Sequence, residues 1–176
     1  MSIMNKTQNV KKQFSNDKNL AMRINFYKKY TTNKYSFSDW LFDKYKFKEN
    51  MSILELGCGD GIHWKDRIDK LPNGCKLILS DFSEGMLNLV KERYSRFENV
   101  SFEKIDIQSI PFEDDSFDMI IANHMLFHVP DLNKALLEVK RVLKKGGYFY
   151  SATDGNGGMR PFLHEAIKQF NPESKA

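Results

Sequence analysis

The rhythm of apolar positions changes at Met51. Beyond it, short apolar runs alternate with amphipathic stretches, the pattern of repeated strand–helix units around a parallel sheet. The runs are 52–57, 76–82, 100–106, 117–124 and 147–153. The first, second and fourth are nearly unbroken in Ile, Leu, Met and Val, as strands covered on both faces must be. Helices are predicted over 63–71, 84–97 and 132–143. Ser83 and Asp131 stand where N-caps belong, and Gly146, just beyond Lys144 and Lys145, stands where a helix would stop. A last helix is predicted over 161–170, with Pro161 in its first turn. The pattern specifies an α/β fold, a doubly wound parallel sheet.

Before Met51 the pattern is different. Residues 1–19 are polar and predicted to be a flexible terminus. Residues 20–50 carry an aromatic stripe of Phe26, Tyr27, Tyr30, Phe37, Trp40 and Tyr45 at near-helical spacing. Two short helices are expected there, with Trp40 and Leu41 packed into the core. More aromatic than a support needs, this segment is expected to fold as a lid, with Tyr27 or Tyr30 facing a pocket.

Composition narrows the setting. A chain of 176 residues, 41% hydrophobic, can bury one real core. No stretch approaches the roughly 18 consecutive apolar residues of a membrane helix, and the first residues lack an apolar signal-peptide centre. Cys58 and Cys75 fit no metal spacing, so a reduced, cytoplasmic location is expected. The net charge of +4 is uneven: ten Lys and one Arg face only Asp17, Asp39 and Asp43 in residues 1–48, a net +8 against −4 on the rest. No basic block accompanies it, so a solvated lysine-rich surface outweighs a nucleic-acid or membrane contact.

The candidate chemistry lies at three successive strand ends. Strand one runs into Glu55-Leu56-Gly57-Cys58-Gly59-Asp60-Gly61, whose alternate glycines allow a tight turn and close approach of a ligand. Strand two ends at Asp81, twenty residues beyond Gly61, where an acid grips ribose hydroxyls in nucleotide-binding sheets. Phe82 can lie against a purine face. Strand three ends at Asp106 and Ile107, a carboxylate for an exocyclic amine and an apolar cover for the ring; taken alone, Asp106 is equally a loop cap.

ELGCGDG, SDFSEGML, IDIQSIPFEDDSFDMIIANHMLFHV and RVLKKGGYFYSAT together resemble the class I S-adenosylmethionine-dependent methyltransferases. The small-molecule branch that includes quinone-biosynthesis enzymes is the nearest in pattern. The resemblance spans about residues 51–153. It implies a Rossmann-like sheet of order 3-2-1-4-5 and S-adenosylmethionine as cofactor, with S-adenosylhomocysteine as product. It implies that Glu55, Gly57, Cys58, Gly59 and Gly61 line the methionine part, and that Asp81 holds the ribose. Phe82 and Met86 would flank the adenine, Asp106 and Ile107 would meet its edge, and Asn123 would offer its backbone to the amino group. Tyr30 is the lid residue carried into this set.

Methyl transfer needs an aligned nucleophile and exclusion of water; a base is optional. His124 and His128 are the candidates for that base, with packing or capping as the ordinary alternative. Their i, i+4 spacing lacks the Glu of a metalloprotease and any third ligand, so no metal is expected. A nicotinamide dehydrogenase is disfavoured by Ile62 where its last glycine would fall. A nucleic-acid methyltransferase, RNA included, and a non-catalytic cofactor-binding domain are the alternatives to a small-molecule enzyme. The family sheet ordinarily continues past strand five, so the 51–176 domain is expected to be incomplete at its C-terminus, with weakened activity. Strand five would then form an edge, inviting a homodimer or a covering by helix 161–170.

Overall fold

The computed structural model describes residue 25 and residues 29–153. Helix α1 spans Phe37–Phe42, β1 Ser52–Leu56, β2 Lys76–Asp81 and α2 Glu84–Tyr94. Then follow β3 Val100–Lys104, β4 Phe117–Asn123, α3 Leu132–Val142 and β5 Leu143–Ala152. The strands form one sheet in the order β3-β2-β1-β4-β5, with every pairing parallel, as expected.

Alternation along the strands divides the core in two. Ile53, Leu77, Leu79, Met119 and Ile121 face one layer, with α2 residues Leu87 and Val90. Leu54, Leu56, Ile120 and Ala122 face the other, with Ala135 and Val139 of α3. Because helices cover both faces, the central strands carry no polar face. The two N-caps form as read: Ser83 accepts from the Met86 N–H and Asp131 from the Lys134 N–H. Each such cap contributes about 1 kcal/mol.

Three expectations are corrected. Segment 63–71 is not a helix but two 3-10 turns, Ile62–Trp64 and Ile68–Lys70, separated by Asp66 at φ 59°. Burial of Trp64 and Ile68 fixes the two turns separately, with Arg67 donating to the carbonyls of His63 and Lys65. Gly146 does not stop α3. That helix ends at Val142 and passes straight into β5, where Gly146, at φ 81°, lies in an irregularity: Leu143 pairs with Phe117 but Tyr148 pairs with Met119. Trp40 is 45% exposed, stacked on Phe37 with the Lys44 ammonium over its ring, whereas Leu41 is buried as expected. Residues 1–19, Tyr27 and segment 161–170 lie outside the described residues. Strand β5 pairs only with β4 among the described residues, while Tyr148, Phe149 and Tyr150 lean onto the two core layers.

Candidate functional site

In an open parallel sheet, ligands sit beyond the carboxyl ends of the strands, at the point where strand order reverses. Here that point lies between β1 and β4, flanked by the glycine turn. The turn is fastened from three sides. Gly59 N–H donates to Asp81 Oδ2 at 2.9 Å, tying it to β2. Arg93 of α2 pairs with Asp60 Oδ2 at 2.8 Å, and the Tyr94 hydroxyl donates to the Gly61 carbonyl at 2.7 Å. The buried Asp60 therefore holds the loop, a role that its place in the motif does not announce.

Asp81 also accepts from the Ser83 N–H at 2.8 Å. Burial pushes its pKa up, and the Ser83, Gly59 and Phe82 N–H groups oppose that rise. Each oxygen of a carboxylate accepts two hydrogen bonds, so acceptor capacity remains beyond these contacts. Asp106 caps its own loop, accepting from the N–H and side-chain amide of Gln108 at 2.9 and 3.1 Å. Met86, at 1% exposure, and Ile107 are enclosed, whereas Phe82 is partly exposed beside Asp81. The Cys58 thiol is buried and its pKa driven well up, chiefly by burial and then by Glu55 and Asp81, so it stays neutral.

Glu55 is wholly enclosed and accepts from the indole N–H of Trp64. Burial pushes its pKa up to about 7; the Trp64 bond opposes this and the charge of Asp81 adds to it. A carboxyl raised in this way binds its proton more tightly folded than unfolded. Its stabilising share is therefore present below the ordinary 4.5 and is lost as pH rises through about 7. Glu55→Gln stays neutral throughout, so its stability relative to the parent should rise between about pH 5 and about pH 8. Urea unfolding of both proteins at the two pH values measures this, and a constant difference would count against a proton on Glu55.

Around the end of β4 the structure assembles groups that sequence spacing does not connect. Asn123 Nδ2 donates to the Tyr45 hydroxyl at 2.8 Å, and that hydroxyl lies 3.0 Å from His63 Nε2. Asn123 Oδ1 is buried without a hydrogen-bond partner among the described residues. Burial pushes the His63 pKa down to about 4, with Arg67 adding to the effect, so the ring is neutral near pH 7. The signal for Tyr45 and His63 was weak, because they lie 18 residues apart and far from Asn123.

His124 is exposed, holds φ 52°, and donates its N–H to the Ala152 carbonyl at 2.7 Å. A non-glycine residue at positive φ is uncommon and marks sites where strain is tolerated. Its ring lies 5.1 Å from that of Phe37, which brings α1 over the end of β4. His128 stands in a 3-10 turn with its ring 4.2 Å from that of Phe127. Tyr30 is 60% exposed, with Lys29 over its ring. Two surface cavities, about 760 and 230 Å³, are lined by the loop before β4 with Arg141 of α3, and by residues 48–51 before β1 with Asp118 at the start of β4 and the first half of β5. Both therefore lie toward the amino ends of the strands, away from this chemistry. Among the described residues no cluster of three or more metal-ligating side chains occurs, and no helix is long and apolar enough to cross a membrane.

Comparison with known proteins agrees with the geometry. A family described as a methyltransferase domain matches residues 47–174. Demethylmenaquinone methyltransferases from Staphylococcus aureus strains are 39% identical over 101 or 102 residues, which is 57% of this chain and 42% of the relative. The chain thus spans less than half the length of these relatives. A methyltransferase from Aquifex aeolicus superposes with a TM-score of 0.62 at 22% identity, over 76% of this chain and 78% of that one. The YcgJ protein from Bacillus subtilis gives 0.57 at 26% identity, over 76% and 56%. Glycine turn, second-strand acid, sheet order and family match converge: the chain belongs to the class I methyltransferase domain family, whose cofactor is S-adenosylmethionine.

Proposed function

We propose that this chain binds S-adenosylmethionine across the carboxyl ends of β1, β2 and β3 and transfers its methyl group to a small-molecule acceptor. The observation that carries the reading is the clasp between Gly59 and Asp81, which sets the glycine turn and the acid ending the second strand at one hydrogen-bond distance. The site suits a cationic ligand. Glu55 and Asp81 are acids beside the turn, and Asn123 Oδ1 is a buried acceptor in want of a donor.

In this reading Glu55, Gly57, Cys58, Gly59 and Gly61 line the methionine end, with Cys58 contributing only backbone. Asp81 holds the ribose and Phe82 lies on the adenine, with the enclosed Met86 and Ile107 forming the floor and Asp106 the edge. When bound, the cofactor supplies an electrophilic methyl on a sulfonium; the protein aligns the acceptor and excludes water. His124, exposed at the end of β4, and the half-buried His128 are the residues that would take a proton from an acceptor hydroxyl or amine. A small-molecule acceptor is supported by relatives whose name specifies demethylmenaquinone.

Isothermal titration with S-adenosylmethionine and S-adenosylhomocysteine tests the reading; binding of neither overturns it. The α1 contacts support a lid. The Phe37 ring meets His124, and Asp39 pairs with Arg67. Hydrogen exchange over residues 29–48 should therefore slow when cofactor is added. Equal protection with and without cofactor would leave α1 a static support.

A further inference from the structure

The buried chain from Asn123 through Tyr45 to His63 has a direction. Tyr45 has one hydroxyl proton. Accepting from Asn123 Nδ2 obliges it to donate to His63 Nε2, which the neutral ring allows in its Nδ1–H tautomer. The amide of Asn123 is thereby turned so that Oδ1, its one remaining strong acceptor, is buried and unsatisfied among the described residues. An acceptor left in that state costs free energy until a donor reaches it.

The position of Asn123 says what kind of donor that is. Glu55 of β1 stands opposite Ile121 of β4, so two residues further along both strands Asn123 comes level with Gly57. A methyl group on Gly57 would come within 2.9 Å of Met125 Cβ, which confirms that the β4 end lies against the glycine turn. Asp81 clasps the same turn through the Gly59 N–H, and a carboxylate there favours a positive charge nearby. A cationic N–H donor meets both conditions.

Resting on the cofactor reading above, we propose that Tyr45 and His63 are positioning residues that fix the Asn123 amide, so that Oδ1 accepts a hydrogen bond from the ammonium group of the bound cofactor. The chain thereby recognises the amino-acid end of the ligand, independently of its nucleoside end. Neither residue touches the ligand in this arrangement; each acts through the one before it.

Two probes separate the ends. S-adenosylhomocysteine carries the ammonium group, whereas 5′-methylthioadenosine has the same nucleoside thioether without it. Tyr45→Phe keeps the ring and removes the hydroxyl. Its affinity for S-adenosylhomocysteine should fall about tenfold, a size suited to one charge-assisted hydrogen bond losing its orientation, with methylthioadenosine affinity unchanged. His63→Leu should act in the same sense, and His63→Gln, which keeps an acceptor for the Tyr45 hydroxyl, should restore most of the loss. An unchanged affinity for S-adenosylhomocysteine in Tyr45→Phe overturns the proposal, as does an equal fall for both ligands, which would make the hydroxyl a general support of the fold. Parent protein that binds neither probe overturns the cofactor reading itself, a result distinct from both.

Discussion

Asp81→Ala is expected to weaken S-adenosylmethionine binding by about 1–3 kcal/mol, roughly fivefold to 150-fold, the usual range for charge-assisted hydrogen bonds. The carboxylate has two tasks in the proposed complex. It accepts from the Gly59 and Ser83 N–H groups at 2.9 and 2.8 Å, which shapes the turn before any ligand arrives. Its remaining acceptor capacity would meet the ribose hydroxyls. The two tasks separate experimentally, because loss of the clasp lowers stability without ligand, whereas loss of the ribose contact shows only in the dissociation constant. Urea unfolding of the unliganded variant measures the first and isothermal titration the second. A dissociation constant unchanged from the parent would falsify the ribose assignment and remove the main support for the proposed cofactor pose.

The sheet was legible because its signals are local. Nearly unbroken apolar runs within 52–56, 76–81 and 117–123 mark strands covered on both faces, and Ser83 and Asp131 mark helix starts by the side-chain oxygen each places over a turn. Where local signals compete, the sequence misleads. His63 to Leu71 carry helical spacing, yet the burial of Trp64 and its bond to Glu55 across nine residues of chain break the segment at Asp66. Tertiary packing overrode propensity there. Gly146 carries the signature of a helix stop, but the same conformational freedom serves an irregular strand equally well, and only the pairing with β4 decides between them. At the site, the residues read from motifs were those within one turn of a strand end. The pairings of Tyr45, His63 and Asp60 are not legible in the sequence because their partners, Asn123, Tyr45 and Arg93, lie 78, 18 and 33 positions away. No periodicity reports such pairs.

Gly61→Ala is expected to be the most destabilising of these substitutions, by about 2–5 kcal/mol. Two costs add. The residue sits at φ 72°, where an L side chain costs roughly 1–2 kcal/mol. Its Cβ would also stand 2.3 Å from Val90 Cγ2 and 2.6 Å from Tyr94 Cε2, far inside contact distance. Neither neighbour can step aside. Val90 is wholly buried in the core, and the Tyr94 hydroxyl is anchored to the Gly61 carbonyl itself. Overpacking of this kind costs typically about 1–3 kcal/mol. Gly61 is therefore required by the fit of the turn against α2 before any ligand arrives. Gly146→Ala supplies the control, since it has a similar φ of 81° but nothing within 4 Å of its Cβ. It should lose only the backbone share, about 1–2 kcal/mol. Urea midpoints for both variants without ligand decide the matter. If the two fall equally, the clash with Val90 and Tyr94 is relieved at little cost, and the glycine at 61 answers to backbone conformation alone.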